Sequence, residues 1–312
     1  MTGPAEVTVA VPATSANLGP GYDALGLALE LRDEVRVRAA AADQPAVTVE
    51  VVGEGAATLP RDASHLVVRA VLAAFADLAV PAPPLVLHCT NRIPHGRGLG
   101  SSAAAVVAGV LAARALAGAV DDDGRTAALA VSTALEGHPD NAAAALLGGL
   151  TIAWDDGPGP RAVRVDPSPR LRATLLVPDV ELATTTARGL LPATVPHADA
   201  AHAAGRSALL VEALTRRPDL LLPATEDRLH QAQRAPAMPA TADLVARLRA
   251  DGLAAVVSGA GPSVLVLSDA DADADADADT DADVDVERRL RGSLAGWRVL
   301  PLAVARGGAT LG

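Results

Sequence analysis

Arg92-Ile-Pro-His-Gly-Arg-Gly-Leu-Gly-Ser-Ser-Ala103 runs straight into an alanine-rich segment, and the reading of the chain turns on it. Gly96, Gly98 and Gly100 alternate with other residues, so the loop has few side-chain walls and its backbone N–H groups can fold around an anion. Ser101 and Ser102 stand where a helix takes its cap, at the end where N–H groups are unpaired and the helix dipole is positive. A phosphate group suits that environment. Two better-known phosphate loops do not fit. A Walker loop needs a lysine after its last glycine, and the chain contains no lysine. The dinucleotide fingerprint spaces its glycines G-x-G-x-x-G directly after a strand, whereas G-x-G-x-G-S-S here follows a Pro-His turn. Taken alone, the loop also fits a helix entry that binds nothing, so the rest of the chain decides.

A chain of 312 residues, 50% hydrophobic, can bury a sizeable core and is expected to form two domains. Phe75, Tyr22, Trp154 and Trp297 are its only aromatic residues, so the core is aliphatic and no base-stacking platform for nucleic acid can be built. The single cysteine, Cys89, excludes an intramolecular disulfide and a cysteine zinc cluster. Met1 to Glu6 carry no secretory pattern, and a cytoplasmic protein is expected. The apolar run Ala103 to Ala113 is 11 residues long and a membrane span needs about 20, so a buried helix and no membrane partner are expected. The net charge of −11 is concentrated in residues 269–287, where Asp-Ala repeats hold nine Asp and one Glu. The remainder is nearly neutral, and the tract reads as a solvated, low-complexity insert.

Val7 to Val11 reads as a short strand stopped by Pro12, followed by a polar loop from Thr14 to Asp23. Strands are expected at 34–37, 47–52, 84–87, 150–154, 173–177, 254–257, 264–267 and 299–305. Helices are expected at 64–78, 102–117, 125–135, 240–250 and near 288–294, with 187–214 mostly helical. Asp155-Asp-Gly-Pro-Gly-Pro160 is the expected domain boundary, dividing the chain into 1–157 and 158–312. Strands and helices alternate in both halves, which predicts an α+β architecture.

Three glycine-containing segments in this order, Pro12 to Asp23, Pro94 to Ser102 and Ser258 to Ser263, resemble the three motifs of the GHMP kinase superfamily. Pro94-x-x-x-Gly-Leu-Gly-Ser-Ser-Ala103 is the most specific of them. Val11 to Gly26, Glu136-Gly-His-Pro-Asp-Asn141 and Arg234-Ala-Pro are similar to the homoserine kinase group within it. The resemblance implies a two-domain fold, with an N-terminal half like ribosomal protein S5 domain 2 and a ferredoxin-like C-terminal half. It also implies transfer of the ATP γ-phosphate to the hydroxyl of L-homoserine, the step before threonine synthase.

By the same resemblance Pro94, His95, Gly96, Arg97, Gly98, Leu99, Gly100, Ser101 and Ser102 cradle the nucleotide phosphates, with Arg97 as the cation facing them. Mg²⁺ falls to Ser102 and Glu136, with Ser101 as the alternative serine. Asn17 and Asp23 hold the ammonium and hydroxyl end of homoserine, Arg188 and Arg234 clamp its carboxylate, and His138, Asn141, Thr184 and Gly261 complete the pocket. Asp140 is the nearest carboxylate for a catalytic base. In the base-free alternative, Glu136 and Mg²⁺ act electrostatically and the phosphate takes the proton. His65 stands where the family has an asparagine near the adenine, and Ala183-Thr-Thr-Thr-Ala-Arg188 departs from the usual Ser-Thr-Lys-Glu-Ala-Arg. Assembly as a homodimer is left open.

Overall fold

The structure, a computed structural model, describes residues 5–119, 122–270, 294 and 296–312. In chain order its elements begin with β1 (Glu6–Asn17), β2 (Gly21–Ala39), β3 (Val47–Gly53), α1 (Leu66–Asp77), β4 (Leu85–Asn91), α2 (Ser101–Ala117) and α3 (Asp122–Glu136). They continue with α4 (Asp140–Leu147), β5 (Leu150–Asp155), β6 (Pro160–Val165), β7 (Leu171–Pro178), α5 (Thr184–Gly189) and α6 (His197–Thr215). Two short helices, α7 (Leu221–Ala224) and α8 (Gln231–Arg234), precede α9 (Pro239–Ala250), β8 (Ala254–Val257), β9 (Val264–Asp269), β10 (Trp297–Leu302) and β11 (Thr310–Leu311).

The first sheet has the order β11-β1-β2-β4-β3, and the β5–β6 hairpin attaches to β2. β2 is long enough to serve two neighbours: Leu25 to Leu27 pair with β5, and Glu34 to Ala39 pair with β4. The second sheet has the order β10-β7-β9-β8, with every pair antiparallel. Its first and third strands are central, the order of a ferredoxin-like layer, so the α+β expectation holds.

Helix α2 lies between α1, α3 and β1, and its buried residues go all the way round it, from Ala103 to Leu116. The Ala and Gly that make this stretch look featureless are what let the helices approach: a Cβ on Gly109 would stand 2.6 Å from the Val67 carbonyl. In β7 the strand period of two separates the layers. Leu175 packs into the core of the first sheet and helices, and Leu176 packs on the opposite face with Leu244 and Val264.

Several expectations change. Pro12 does not stop β1; the register with β2 shifts between Pro12 and Ala13, and this bulge lets the strand run on to Asn17. The polar segment from Thr14 is therefore strand, buried almost throughout, and the turn is confined to residues 18–20. Residues 156–159 close the β5–β6 hairpin, so the expected boundary at 157/158 falls inside one sheet, and the sheets divide between Val165 and Leu171. Asp269, the first residue of the acidic tract, ends β9 and is buried against the Arg170 guanidinium. Beyond Ala270 the expected insert, and the expected helix near 288, lie outside the described residues.

The last ten residues return to the first sheet. Glu30 donates to the Ala303 carbonyl and Ala305 to that of Ala28, and β11 pairs with Val9 and Ala10 of β1. No described helix is long and apolar enough to cross a membrane.

Candidate active site

The glycine loop is pinned at its entrance and folded by its glycines. Asp33, buried on β2, accepts the N–H groups of Arg92 (2.6 Å) and Ile93 (2.9 Å). Gly96, Gly98 and Gly100 all take left-handed φ angles, +64°, +72° and +68°. Two of these glycines are demanded by contacts as well as by φ. A side chain at Gly98 would overlap the Ser258 carbonyl, and one at Gly100 the Thr14 hydroxyl. Helix α2 opens with Gly100 as its N-cap and no side chain capping it, so the N–H groups of its first turn face the cavity unclaimed. The serines therefore sit inside the first turn instead of at the cap. Freed from capping, Ser102 Oγ donates to Glu136 Oε1 at 2.5 Å.

Glu136 ends α3, and Gly137, with φ +83°, turns the chain into α4. Burial raises the Glu136 carboxyl above its usual range, against the lowering effect of the Ser102 hydrogen bond. On α4, Asp140 Oδ1 lies 2.7 Å from His138 Nδ1 and also accepts the backbone and side-chain N–H groups of Asn141 (2.7 and 3.2 Å). For His138, burial pulls the pKa down, but the hydrogen bond to Asp140 and its charge outweigh that and leave it raised. Thr14 Oγ1 donates to Asn141 Oδ1 at 2.8 Å, tying β1 to the same group.

The third wall is charged. Asn17 and Asp23 both have left-handed backbones, and Asp23 N–H donates to Asn17 Oδ1 (3.0 Å) while Asn17 Nδ2 donates to the Gly259 carbonyl (2.8 Å). Arg188, on α5, meets Asp23 through two hydrogen bonds of 2.6 and 3.0 Å and donates to the Tyr22 hydroxyl at 2.9 Å. Arg234 is 1% exposed; its Nη1 contacts His230 Nδ1 (3.1 Å) and the Gly259 carbonyl (3.3 Å), and its Nε is buried without a partner.

These walls enclose one cavity, lined by the cradle from Gly96 to Ser102 without Arg97, by Glu136, His138, Asp140 and Asn141, and by Asn17, Thr184, Arg188 and Arg234. A second, more apolar cavity shares Ser101 and Ser102 with it and is bordered by His65 and His95. Pro94 is buried beneath the loop and lines neither. Gly261, with φ +86°, packs against Met238 behind the third glycine turn.

Arg97 is a correction. Its Nε donates to the Pro178 carbonyl, Nη2 to Asp179, and Nη1 to His95 and to Glu181 Oε1. A guanidinium spent in this way fastens the loop to the end of β7 and does not face the cradle. Four site residues escaped the sequence reading: Thr14, Tyr22, His230 and Gly259. Thr14 and Tyr22 lie inside the first glycine segment, so their position was visible and their partners were not. His230 had no local signal.

A left-handed glycine cradle at an uncapped helix, facing a carboxylate, next to a ferredoxin-like layer, defines a phosphoryl-transfer enzyme of the GHMP type. Two family models match in order: the GHMP kinases N terminal domain over residues 65–149 and the GHMP kinases C terminal domain over residues 203–280. The homoserine kinase of Streptomyces avermitilis is 57% identical over 277 residues, covering 86% of this chain and 89% of that one. Among solved structures, the homoserine kinase of Cytophaga hutchinsonii superposes with a TM-score of 0.83 at 28% identity, covering 100% of this chain and 98% of that one. A putative homoserine kinase from Listeria monocytogenes gives 0.75 at 31% identity over 98% of this chain and 99% of that one. The chain belongs to the GHMP kinases and, within them, to the homoserine kinase family.

Proposed function

We propose that the protein transfers the γ-phosphate of ATP to the side-chain hydroxyl of L-homoserine, giving O-phospho-L-homoserine and ADP. The observation that carries this reading is a phosphate cradle sharing one cavity with Arg188 and Arg234, beside Asp23. A zwitterion carrying a hydroxyl needs this set: an anion for its ammonium, guanidinium groups for its carboxylate, and a phosphate within reach of its third arm.

The nucleotide phosphates are assigned to the N–H groups of the loop 96–100 and the first turn of α2. The base is assigned to the neighbouring cavity. Both ring nitrogens of His65 are buried there without partners, and burial followed by Arg61 lowers its pKa. A neutral imidazole offers one donor and one acceptor to a purine edge. Mg²⁺ suits Ser102 Oγ and Glu136, two hard oxygens already 2.5 Å apart. When bound, it neutralises phosphate charge.

The homoserine hydroxyl attacks the γ-phosphorus in line. The new O–P bond forms as the bond to the ADP oxygen breaks, and the hydroxyl proton passes to the transferred phosphate. Asp140 Oδ1 already accepts three hydrogen bonds, so we assign it to fixing His138 and Asn141 beside the hydroxyl, not to taking the proton. Most of the rate enhancement then comes from placement and from the cradle's dipoles. The cytoplasm is the proposed compartment, and a homodimer is the proposed assembly, testable by light scattering.

Purified protein with ATP and Mg²⁺ should release ADP when L-homoserine is added and form O-phosphohomoserine, read by phosphorus NMR. Inert homoserine in a panel where another alcohol turns over refutes the reading.

A further inference from the structure

Asp23 and Arg188 are spent on each other. Arg188 Nη2 and Nη1 reach the two carboxylate oxygens at 2.6 and 3.0 Å, and Nη1 also donates to the Tyr22 hydroxyl. Such a two-pronged pair is the geometry in which guanidinium and carboxylate satisfy one another most fully. The hydrogen bond to Asp23, ahead of the opposing effect of burial, raises the Arg188 pKa. Yet both side chains are about one-third exposed, at 34% and 35%, so water and ligands can reach the pair. Arg234 is in the opposite condition. It is buried, no carboxylate among the described residues pairs with it, and its Nε has no partner. Both guanidinium groups lie over the ring of Tyr22, with Cζ 5.7 Å (Arg188) and 5.4 Å (Arg234) from its centroid. The ring therefore offers Arg188 a contact that does not depend on Asp23.

We infer that the Asp23–Arg188 pair is the self-neutralised form of the acceptor site, and that an amino acid enters by dividing it. The ligand ammonium replaces Arg188 at Asp23, and the ligand carboxylate takes Arg188 together with Arg234. This rests on the assignment of homoserine as acceptor. Its physical content is an exchange: one protein ion pair is lost and two protein–ligand pairs form, with the unpaired charge of Arg234 drawing the carboxylate in. A ligand with a single charge that takes up its full set of contacts must break the same pair and strand one partner. A carboxylate alone strands Asp23, and an ammonium alone strands Arg188. Discrimination against half-ligands then comes from the protein's own pairing as well as from the missing contact.

Three ligands separate the charges: L-homoserine, 4-hydroxybutyrate with the carboxylate alone, and 3-aminopropan-1-ol with the ammonium alone. Inhibition constants of the latter two, and KM for homoserine, are measured for the wild type, Asp23→Asn and Arg188→Gln after thermal melts confirm folding. Asparagine tolerates the left-handed backbone at this position. Both variants should raise KM for homoserine by roughly tenfold or more. In the same proteins, Asp23→Asn should tighten 4-hydroxybutyrate and Arg188→Gln should tighten 3-aminopropan-1-ol, each by about threefold or more, because the surviving partner is released. Weakened or unchanged binding of the half-ligands in both variants overturns the exchange and leaves the homoserine assignment standing. Absence of wild-type turnover with homoserine overturns both.

Discussion

His230 shows how one side chain can fix another and carry a pH dependence with it. Its Nε2 lies 2.8 Å from the Gly19 carbonyl and so must bear the proton, which leaves Nδ1 as the acceptor facing Arg234 Nη1. Asp227 holds the backbone beneath it, accepting N–H bonds from Leu229, His230 and Gln231. Burial lowers the His230 pKa, against the pull of Asp227, and Arg234 lowers it further. A histidine whose folded pKa is depressed stays neutral in the native state while the unfolded chain takes a proton. Its contribution to stability is present above the unfolded value, about 6.5, and is lost as pH falls below it. The urea midpoint of the wild type should therefore fall between pH 7 and pH 5.5, and His230→Gln should fall less over the same interval. Equal slopes would show that the protonation cost lies elsewhere. At this scale the charged site residues were legible, because Asp23, Glu136, His138, Arg188 and Arg234 stand in recognisable motifs. Arg97 was not, since a sequence shows that a cation is present but not which carbonyls have claimed it.

Among the elements, the glycine loop and α2 form one device. Gly100→Ala would put a methyl against the Thr14 hydroxyl at a left-handed position, displacing the Thr14–Asn141 hydrogen bond. We expect a loss of about 1–3 kcal/mol in stability and a rise of tenfold or more in KM for ATP, measured by urea denaturation and steady-state kinetics. Arg97→Ala should behave differently. It removes charged donors from three carbonyls and should cost about 2 kcal/mol by urea denaturation, with KM for ATP changed less than about threefold. A tenfold rise in that KM would return Arg97 to the phosphates. Elements with strong periodicity, such as α1 and β3, were found close to their true limits. β1 was cut short because Pro12 is a stop signal everywhere except at a bulge. Helix α4, Asp-Asn-Ala-Ala-Ala-Ala-Leu-Leu, was passed over because its eight residues are too few to display a period.

The molecule as a whole is closed by residues far apart in sequence. Residues 303–312 pair with β1 and β2, Ala309 N–H donates to the Ala145 carbonyl on α4, and Arg32 donates to the carbonyls of Gly307 and Gly308. The segment thus braces the helix that carries Asp140 and Asn141. Ending the chain after Arg306 should lower stability by about 3 kcal/mol or more in urea and reduce kcat, with the fold measured by circular dichroism. Neither this return nor the true division between sheets was legible. Long-range pairing leaves no local mark, and the Gly-Pro alternation at 156–159 looks the same in a hairpin as in a linker.

That closure also orders events during synthesis. The outer edge of β1, Val9 and Ala10 in a run of β-branched and small residues, finds its neighbour only when Thr310 and Leu311 have been made. Until those residues emerge the nascent chain presents an open strand edge, able to pair with its twin on the next ribosome. Thr310 and Leu311 thus protect Val9 and Ala10, and a ribosome stalled before them should yield aggregates seeded at Val7–Val11.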